Sequence, residues 1–462
     1  MFSVTLCSLY GHAFTSDSRA SSLTVAAIGD NVPAIMRTYQ VPVIPVPRTS
    51  SFCRLALAAL VAVIVFGAAS PALADGPRAA ATRKKTLIES IHFGSYYVPQ
   101  VVAAGRNVIV FWRGPDQSGT QRTYAISKNG GKTFGEAKSI RIPVLFQLVA
   151  IAGDSAGNVY FAGTTGFANQ IALVRSDSQI RNFTTGTIID SDRNVVGIEL
   201  ATTPAGHLYL AYQTAFAVPL MGGGTTTAEQ VNWSVSTDLG SSFAEFVKTN
   251  SRPTFESDSA PSMYAAVDGS VWLFRIQVAT QERALTGDAY TGGLVLATRV
   301  DIPSDPVVIA RSEIPAGAPS SVRGFVSADG QLCVSWAETS NASGSPVQSV
   351  FFTRTPIGTP SVAPTSPIAR VGTPHVHHLA RTTSGQVILL LHGAGLDSDE
   401  PEPNIIGLAS LDDGATFGDI SKITGYPPVT SLETATDGSK VYGTWTDTRI
   451  VRFANLVPKD PK

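Results

Sequence analysis

The sequence is poor in charge and in helical periodicity. Charged side chains make up 15% of the 462 residues and nearly cancel, leaving a formal net charge of −1. A chain so close to neutrality gives no electrostatic reason to expect nucleic acid or an anionic membrane surface as a partner. After residue 85 no sustained stretch has helical spacing of apolar residues, which excludes a fold built on long amphipathic helices. Abundant glycine (41) and proline (29) instead favour short strands joined by tight turns, so the chain is predicted to be all-β.

The N-terminal part has the features of a secretory signal. An apolar run from 55 to 69 follows two arginines and precedes an Ala-Leu-Ala site, which predicts cleavage before Asp75. The run is short for a membrane span, and an uncleaved anchor is the alternative. Because signals begin close to their basic region, we predict that residues 1–35 are an upstream mis-start, that Met36 is the true start and that residues 36–74 are the signal peptide. The mature protein is therefore expected to be secreted or extracytoplasmic, with no stable membrane span.

Cysteine is scarce as well. Cys7 and Cys53 lie in the segment predicted to be removed, so only Cys333 remains in the mature chain. A single thiol in an exported protein excludes an internal disulfide framework. Stability must then come from a buried core, which roughly 380 residues can supply. We expect a linker over 75–85 and one domain over 86–462.

A glycine turn followed by a short apolar strand recurs seven times, at intervals of roughly fifty to sixty residues. The glycines are Gly105, Gly157, Gly206, Gly269, Gly330, Gly385 and Gly438. Each repeat can be parsed as four antiparallel strands, A to D, with the glycine turn between A and B. This pattern predicts a β-propeller blade, and a solenoid fits less well because its repeats are usually shorter.

The two ends of the domain predict how the ring closes. The last repeat has strands A, B and C without a strand D, while Thr86 to Phe93 form a spare strand before the first strand A. If the spare strand completes the last blade, the ring closes and hides its edges. Seven four-stranded blades are therefore predicted, with six as the alternative.

A second pattern recurs between strands C and D. Copies run from Ser127 to Phe134, from Ser236 to Phe243 and from Ser410 to Phe417, with a worn fourth from Ser176 to Phe183. They resemble the Asp-box, or bacterial neuraminidase repeat, S-x-D-x-G-x-T-[FW], although Asn129 replaces the aspartate in the first copy. The pattern is structural, because the Asp or Asn caps backbone N–H groups, the glycine permits a positive φ and the Phe packs under the hairpin. The resemblance implies a sialidase-like propeller and leaves the reaction open.

Propeller geometry separates two faces. The A–B and C–D turns share one face, and the B–C and blade-to-blade loops share the other. The resemblance implies that ligands bind on this second face, around the central channel. Polar and aromatic residues at the corresponding strand ends are the predicted ligand-binding set: Tyr97, Trp112, Asp258, His375, His377, His392 and Arg449. Such residues suit a glycan or another polar ligand. The alternative for each is an ordinary solvated strand end.

The resemblance also implies exo-sialidase chemistry, in which three arginines bind the substrate carboxylate beside a tyrosine nucleophile, a glutamate and an aspartic acid. The predicted participants are Arg113, Arg275, Arg323, Glu338 and Asp447. Two departures weigh against catalysis: the Arg-Ile-Pro motif at Arg141 follows the first Asp-box instead of preceding it, and sialidases of this family have six blades. We therefore predict binding of a glycan or another extracytoplasmic ligand. A sialidase-type glycoside hydrolase is the alternative, and an envelope scaffold or assembly factor is the second alternative.

No resident metal or cofactor is predicted. His375 and His377 would point to the same side of a strand and could share a metal, with His392 in the same blade. The sequence does not place a third ligand, so a polar lining of the channel is the preferred interpretation.

Overall fold

The computed structural model describes sixteen stretches of the chain, which are 22–25, 37–40, 99–113, 121–142, 149–219, 224–249, 256–279, 293–312, 319–340, 347–359, 367–371, 377–393, 404–418, 421–422, 429–447 and 450–456. The chain divides into two compact units, residues 1–83 and 84–462. In the first unit, β1 (Ser22–Val25) pairs antiparallel with β2 (Arg37–Gln40).

The second unit is a β-propeller of seven antiparallel sheets. The blades are, in chain order, blade 1 with β3 (Gln100–Ala104), β4 (Asn107–Arg113), β5 (Gln121–Ser127) and β6 (Lys138–Arg141); blade 2 with β7 (Val149–Gly153), β8 (Val159–Thr164), β9 (Gln170–Ser176) and β10 (Phe183–Asp190); blade 3 with β11 (Asn194–Thr202), β12 (Leu208–Pro219), β13 (Thr225–Ser236) and β14 (Val247–Lys248); blade 4 with β15 (Glu256–Ala265), β16 (Val271–Ala279), β17 (Gly293–Arg299) and β18 (Val307–Ser312); blade 5 with β19 (Pro319–Val326), β20 (Gln331–Ser340), β21 (Val347–Pro356) and β22 (Ala369–Val371); blade 6 with β23 (His377–Arg381), β24 (Val387–Gly393), β25 (Asn404–Ser410) and β26 (Ser421–Lys422); and blade 7 with β27 (Val429–Thr436), β28 (Val441–Asp447) and β29 (Ile450–Leu456). The predicted all-β, seven-bladed architecture is confirmed.

The innermost strands of the blades close a ring. Each of them contacts the innermost strand of the next blade, and β27 of blade 7 contacts β3 of blade 1. They surround the central channel. Blade 7 has three strands among the described residues, and the strand predicted to complete it, Thr86 to Phe93, lies outside them. Within the described ranges no helix is long and apolar enough to cross a membrane.

The core lies between neighbouring blades. Successive residues of a strand point to opposite faces of its sheet, and in a propeller both faces are covered. In β16, Phe274 therefore belongs to one buried cluster with Val334 and Trp336 of blade 5, whereas Leu273 belongs to another with Tyr209 of blade 3. This double burial explains why the second strand of each repeat has a nearly continuous apolar sequence.

The C–D turns with the Ser-x-Asp-x-Gly pattern are closed by their own side chains. In blade 3, Asp238 accepts hydrogen bonds from the Ser242 N–H (2.9 Å) and hydroxyl (2.6 Å), and the Gly240 N–H donates to Ser236 Oγ (2.8 Å). The blade 6 turn repeats these bonds around Asp412. In blade 1, an asparagine takes the place of the aspartate and accepts the equivalent backbone bond.

The phenylalanine of the pattern joins one blade to the next. Phe134 of blade 1 meets Phe453 of blade 7 edge to face, with ring centroids 4.8 Å apart. Phe417 of blade 6 meets Phe352 of blade 5 in the same way, also at 4.8 Å. These turns therefore contribute to the contacts between blades as well as to the hairpins themselves.

Candidate functional site

Four polar side chains lie at one level of the central channel. Glu199, Arg323, His378 and Glu433 come from the innermost strands of blades 3, 5, 6 and 7, and we refer to them as the channel cluster. Each is the fourth paired residue counted back from the A–B turn of its blade. Because equivalent rungs of neighbouring blades stand at the same height in the ring, the register alone brings these four residues together.

An ion pair crosses the channel within this cluster. Arg323 Nη2 lies 3.8 Å from Glu199 Oε1, although blade 4 separates their two blades in the ring. The side chains are 22% and 32% exposed, respectively, so solvent in the channel reaches both. Arg323 Nη1 also donates to the carbonyl of Val322 at 3.0 Å, which fixes the direction of the guanidinium.

Enclosure in the channel changes the acidity of the cluster. Burial raises the pKa of Glu433 to about 7; the positive charge of Arg323 opposes the shift, and the negative charge of Glu199 adds to it. Burial also raises the pKa of Glu199, again opposed by Arg323. The pKa of His378 is held well below its usual value by burial and by the positive charge of Arg323, so this imidazole is neutral near pH 7.

The cluster therefore offers two kinds of hydrogen-bonding group in a confined space. An arginine donates in a fixed fork, and carboxylates accept, or donate when protonated. With a pKa of about 7, Glu433 is partly protonated near neutral pH. Hydrogen bonds to a ligand are stronger in such a low-dielectric setting than in water. The arrangement suits a ligand with several hydroxyl groups.

Among the predicted site residues, Arg323 belongs to this cluster, whereas Arg275 and Asp258 pair with each other elsewhere. Arg275 Nε lies 3.3 Å from Asp258 Oδ2, and both side chains are almost fully buried. Asp258 also accepts from Thr249 Oγ1 (2.6 Å) and from Gln277 Nε2 (3.1 Å). These residues lie between blades 3 and 4, facing away from the channel cluster.

Glu338 and His377 are also buried. Glu338 accepts from the indole Nε1 of Trp336 at 3.0 Å, and burial raises its pKa. The Nδ1 of His377 lies 2.8 Å from Ser321 Oγ and its Nε2 lies 2.9 Å from Ser335 Oγ, between blades 5 and 6. Burial lowers the pKa of His377 to about 3, so its imidazole is neutral.

The remaining predicted residues are dispersed or lie outside the described residues. Trp112 is 4% exposed and packs between blades 1 and 7, and His392 is buried near the end of β24. The predictions for Tyr97, His375 and Arg449 fall outside the described part of the chain, as do the side chains of Arg113 and Asp447. Their roles, like those of the other predicted residues, stay predictions.

Sequence reasoning missed three members of the channel cluster. The signal was present, because Glu199, Arg323 and His378 each lie seven residues before the glycine of their A–B turn. Aligning the repeats on that glycine would have placed them in one column. In the last repeat the interval from Glu433 to Gly438 is five residues, which hides the equivalence.

Comparisons with known proteins found similarity to solved structures, and no match to a family model or a curated protein. Among solved structures, the chain is similar to a protein of unknown function from Dyadobacter fermentans, with 10% identity over 79% of this chain and 95% of that chain and a TM-score of 0.41. It is also similar to an α-L-arabinanase of Penicillium chrysogenum complexed with arabinobiose, with 13% identity over 67% of this chain and 92% of that chain and a TM-score of 0.44. A third similar structure is an α-L-arabinofuranosidase of Fusarium graminearum in complex with an iminosugar inhibitor. It has 10% identity over 68% of this chain and 94% of that chain, with a TM-score of 0.45.

Proposed function

We propose that the protein binds a carbohydrate in its central channel, where sugar hydroxyl groups donate hydrogen bonds to Glu199 and Glu433 and accept them from Arg323. The observation that carries the proposal is the channel cluster itself, in which charged groups from three separated blades stand at one level within reach of solvent. A charged cluster has no packing role in a channel, and enclosure makes its carboxylates less favourable as ions.

The contact between Arg323 and Glu199 supports ligand binding over a purely structural pair. At 3.8 Å the two groups attract each other electrostatically but do not form a short hydrogen bond. Their donors and acceptors are therefore available to a third group. Neighbouring hydroxyls of a sugar ring can satisfy an arginine fork and a carboxylate together, and charge-assisted hydrogen bonds of this kind are the strong ones.

A glycoside hydrolase is the second candidate, favoured by the acidity of Glu433. Many glycosidases use one carboxylic acid with a raised pKa to protonate the leaving group and a second carboxylate as base or nucleophile. Glu433, with a pKa of about 7, suits the first role, and Glu199 is a candidate for the second. A sialidase-type clamp of three arginines is less well supported, because Arg275 is paired with Asp258 between blades 3 and 4.

Calorimetric titration with a panel of neutral, acidic and amino oligosaccharides tests the proposal. We expect at least one oligosaccharide to bind, and Arg323→Gln to abolish the binding. Arg354→Gln is the matched control, since Arg354 pairs with Asp329 near an A–B turn, away from the channel cluster. Unchanged binding by Arg323→Gln would overturn the proposal. The absence of any binding would favour the scaffold alternative.

Fluorogenic glycosides test the second candidate. If the protein is a hydrolase, Glu433→Gln should lose turnover while keeping its affinity for the sugar, because the amide still forms hydrogen bonds but cannot donate a catalytic proton. Full turnover by this variant would show that Glu433 is not the catalytic acid. No turnover by the native protein would leave carbohydrate binding as the function.

A further inference from the structure

A second cavity lies between blades 3 and 4, apart from the channel cluster. Its volume is about 740 Å³, within the range of small-molecule sites. Trp233 and Tyr209 of blade 3 line one side, and the C–D connection of blade 4, residues 300–306, lines the other. Arg275 and Thr298 also line it, and Thr298 Oγ1 accepts from Arg275 Nη1 at 2.7 Å.

Trp233 is unusual among the tryptophans of this chain. The other four, Trp112, Trp272, Trp336 and Trp445, are each at most 4% exposed. Trp233 is only partly buried, and it lines the cavity. Exposing part of a large aromatic side chain costs hydrophobic free energy, so a partly exposed indole in a cavity indicates a binding surface.

The same position in two other blades shows which group such a surface accepts. On the third strand, at the level of the channel cluster, stand Trp233 in blade 3, Phe352 in blade 5 and Phe453 in blade 7. Phe352 is covered edge to face by Phe417 of the following blade, and Phe453 is covered by Phe134. In both cases, therefore, a phenyl ring of the next C–D turn fills the position.

Blade 4 does not supply such a ring to Trp233. Its C–D connection has the sequence Val-Asp-Ile-Pro-Ser-Asp-Pro, without an aromatic residue. Blade 5 has no aromatic residue in its C–D connection either, and there the equivalent third-strand residue of the preceding blade is the small Ala297. Trp233 therefore differs from Phe352 and Phe453, because the C–D turn opposite it has no aromatic ring.

Hydrogen bonds and an ion pair hold the blade 4 wall of the cavity together. The guanidinium of Arg299 makes two parallel contacts with Asp301, Nε to Oδ1 at 3.0 Å and Nη2 to Oδ2 at 2.9 Å, and Asp301 Oδ1 accepts the Val271 N–H at 2.9 Å. Ser304 Oγ donates to the Arg299 carbonyl at 2.8 Å. The lining has as many basic as acidic side chains, so the cavity carries no net charge that would favour an ionic ligand. They are Lys248, Arg275 and Arg299 on the basic side and Glu245, Asp301 and Asp305 on the acidic side.

From this geometry we infer that the cavity between blades 3 and 4 binds a small, neutral molecule built on an aromatic ring, which packs against Trp233. Hydroxyl groups of Thr298 and Ser304 are the candidate partners for a polar substituent on the ring. The preformed walls reduce the ordering cost of binding. This site is independent of carbohydrate binding in the channel.

Fluorine NMR with para-fluorophenol tests the inference, because line broadening reports weak binding. We expect the probe to bind the native protein and Trp233→Phe, and its affinity to fall roughly three- to tenfold in Trp233→Ala, as expected when an aromatic pair is lost. Phe167→Ala is the matched control, since Phe167 is 69% exposed in the B–C loop of blade 2 and its loss should change nothing.

Competition experiments define the ligand class. Unlabelled phenol should displace the probe, whereas cyclohexanol, of similar size and with the same hydroxyl, should displace it at least about threefold less well because it lacks an aromatic ring. Benzoate, benzylamine and methyl glucoside should also compete less well than phenol. Equal competition by cyclohexanol or methyl glucoside, or equal probe binding by native protein and Trp233→Ala, would overturn the inference.

Discussion

In each C–D turn with the Ser-x-Asp/Asn-x-Gly pattern, we predict that the neighbouring blade requires the glycine, as does the backbone of the turn itself. Gly414 has φ +85°, and a Cβ added there would lie 2.7 Å from Cζ of Phe352 in blade 5. Gly269, in the A–B turn of blade 4, has nearly the same φ, +87°, but nothing lies within 4 Å of its Cβ position. Comparing the two alanine variants separates the backbone cost from the clash between blades.

The expected magnitudes follow from these two terms. Placing a non-glycine residue in the left-handed region costs about 1–2 kcal/mol, of which the reduced freedom of the unfolded chain returns about 0.4–1 kcal/mol. Gly269→Ala should therefore lower the free energy of unfolding by about 1 kcal/mol. Gly414→Ala adds overpacking against Phe352, a further cost of about 1–3 kcal/mol. We expect it to be destabilised by about 2–4 kcal/mol.

Urea unfolding followed by tryptophan fluorescence measures both variants. A double variant, Gly414→Ala with Phe352→Leu, should recover part of the added loss, because the smaller side chain leaves room for the new methyl group. If Gly414→Ala were no less stable than Gly269→Ala, the reasoning on contacts between blades would be refuted. If adding Phe352→Leu did not reduce the extra loss of unfolding free energy caused by Gly414→Ala, the clash could not be assigned to the Phe352 ring.

Three further predictions concern charge and closure. Because Glu433 has a pKa of about 7 in the folded protein against a usual 4.5, the unfolded state ionises first, so stability should fall from about pH 4.5 to 7. Glu433→Gln should flatten this fall in unfolding titrations; an unchanged profile would contradict the burial of the carboxyl. Asp258→Ala should lower the free energy of unfolding by about 3–5 kcal/mol, because it removes the carboxylate that faces the buried charge of Arg275. A loss below about 1 kcal/mol by chemical denaturation would show that solvent reaches Arg275. Removing residues 86–93 should expose the edge of β29 and promote association detectable by light scattering. A monomer of native stability would show that this segment does not close blade 7.

The repeat pattern was enough to predict the fold because each element of it has a local cause. The glycine turns and the apolar second strands recur in all seven repeats, the Ser-x-Asp/Asn-x-Gly turns recur in three of them, and a unit repeated seven times leaves few architectures. Strand A of each blade is less regular in sequence, because it contacts the innermost strands of both neighbouring blades and also borders the channel. This difference limited the prediction of the site.

The candidate site depends on contacts that cross the ring. Arg323 was predicted from its place on strand A, but its partner Glu199 lies in a blade more than a hundred residues earlier in the chain. Arg275 and Asp258 were expected to face a ligand, and their buried mutual pairing follows from the side of the sheet on which β16 directs Arg275. In both cases the result depends on which face of the sheet each side chain points to. Sequence alone does not determine that face where a bulge shifts the register, as between Ser259 and Ser262.

The position of a bound carbohydrate tests the central claim most directly. A crystal structure of the protein with the oligosaccharide that binds most tightly would provide it. We expect sugar hydroxyl groups within hydrogen-bonding distance of the side chains of Glu199, Arg323 and Glu433. An oligosaccharide bound elsewhere on the propeller, with none of these three side chains in contact with it, would rule out binding in the channel.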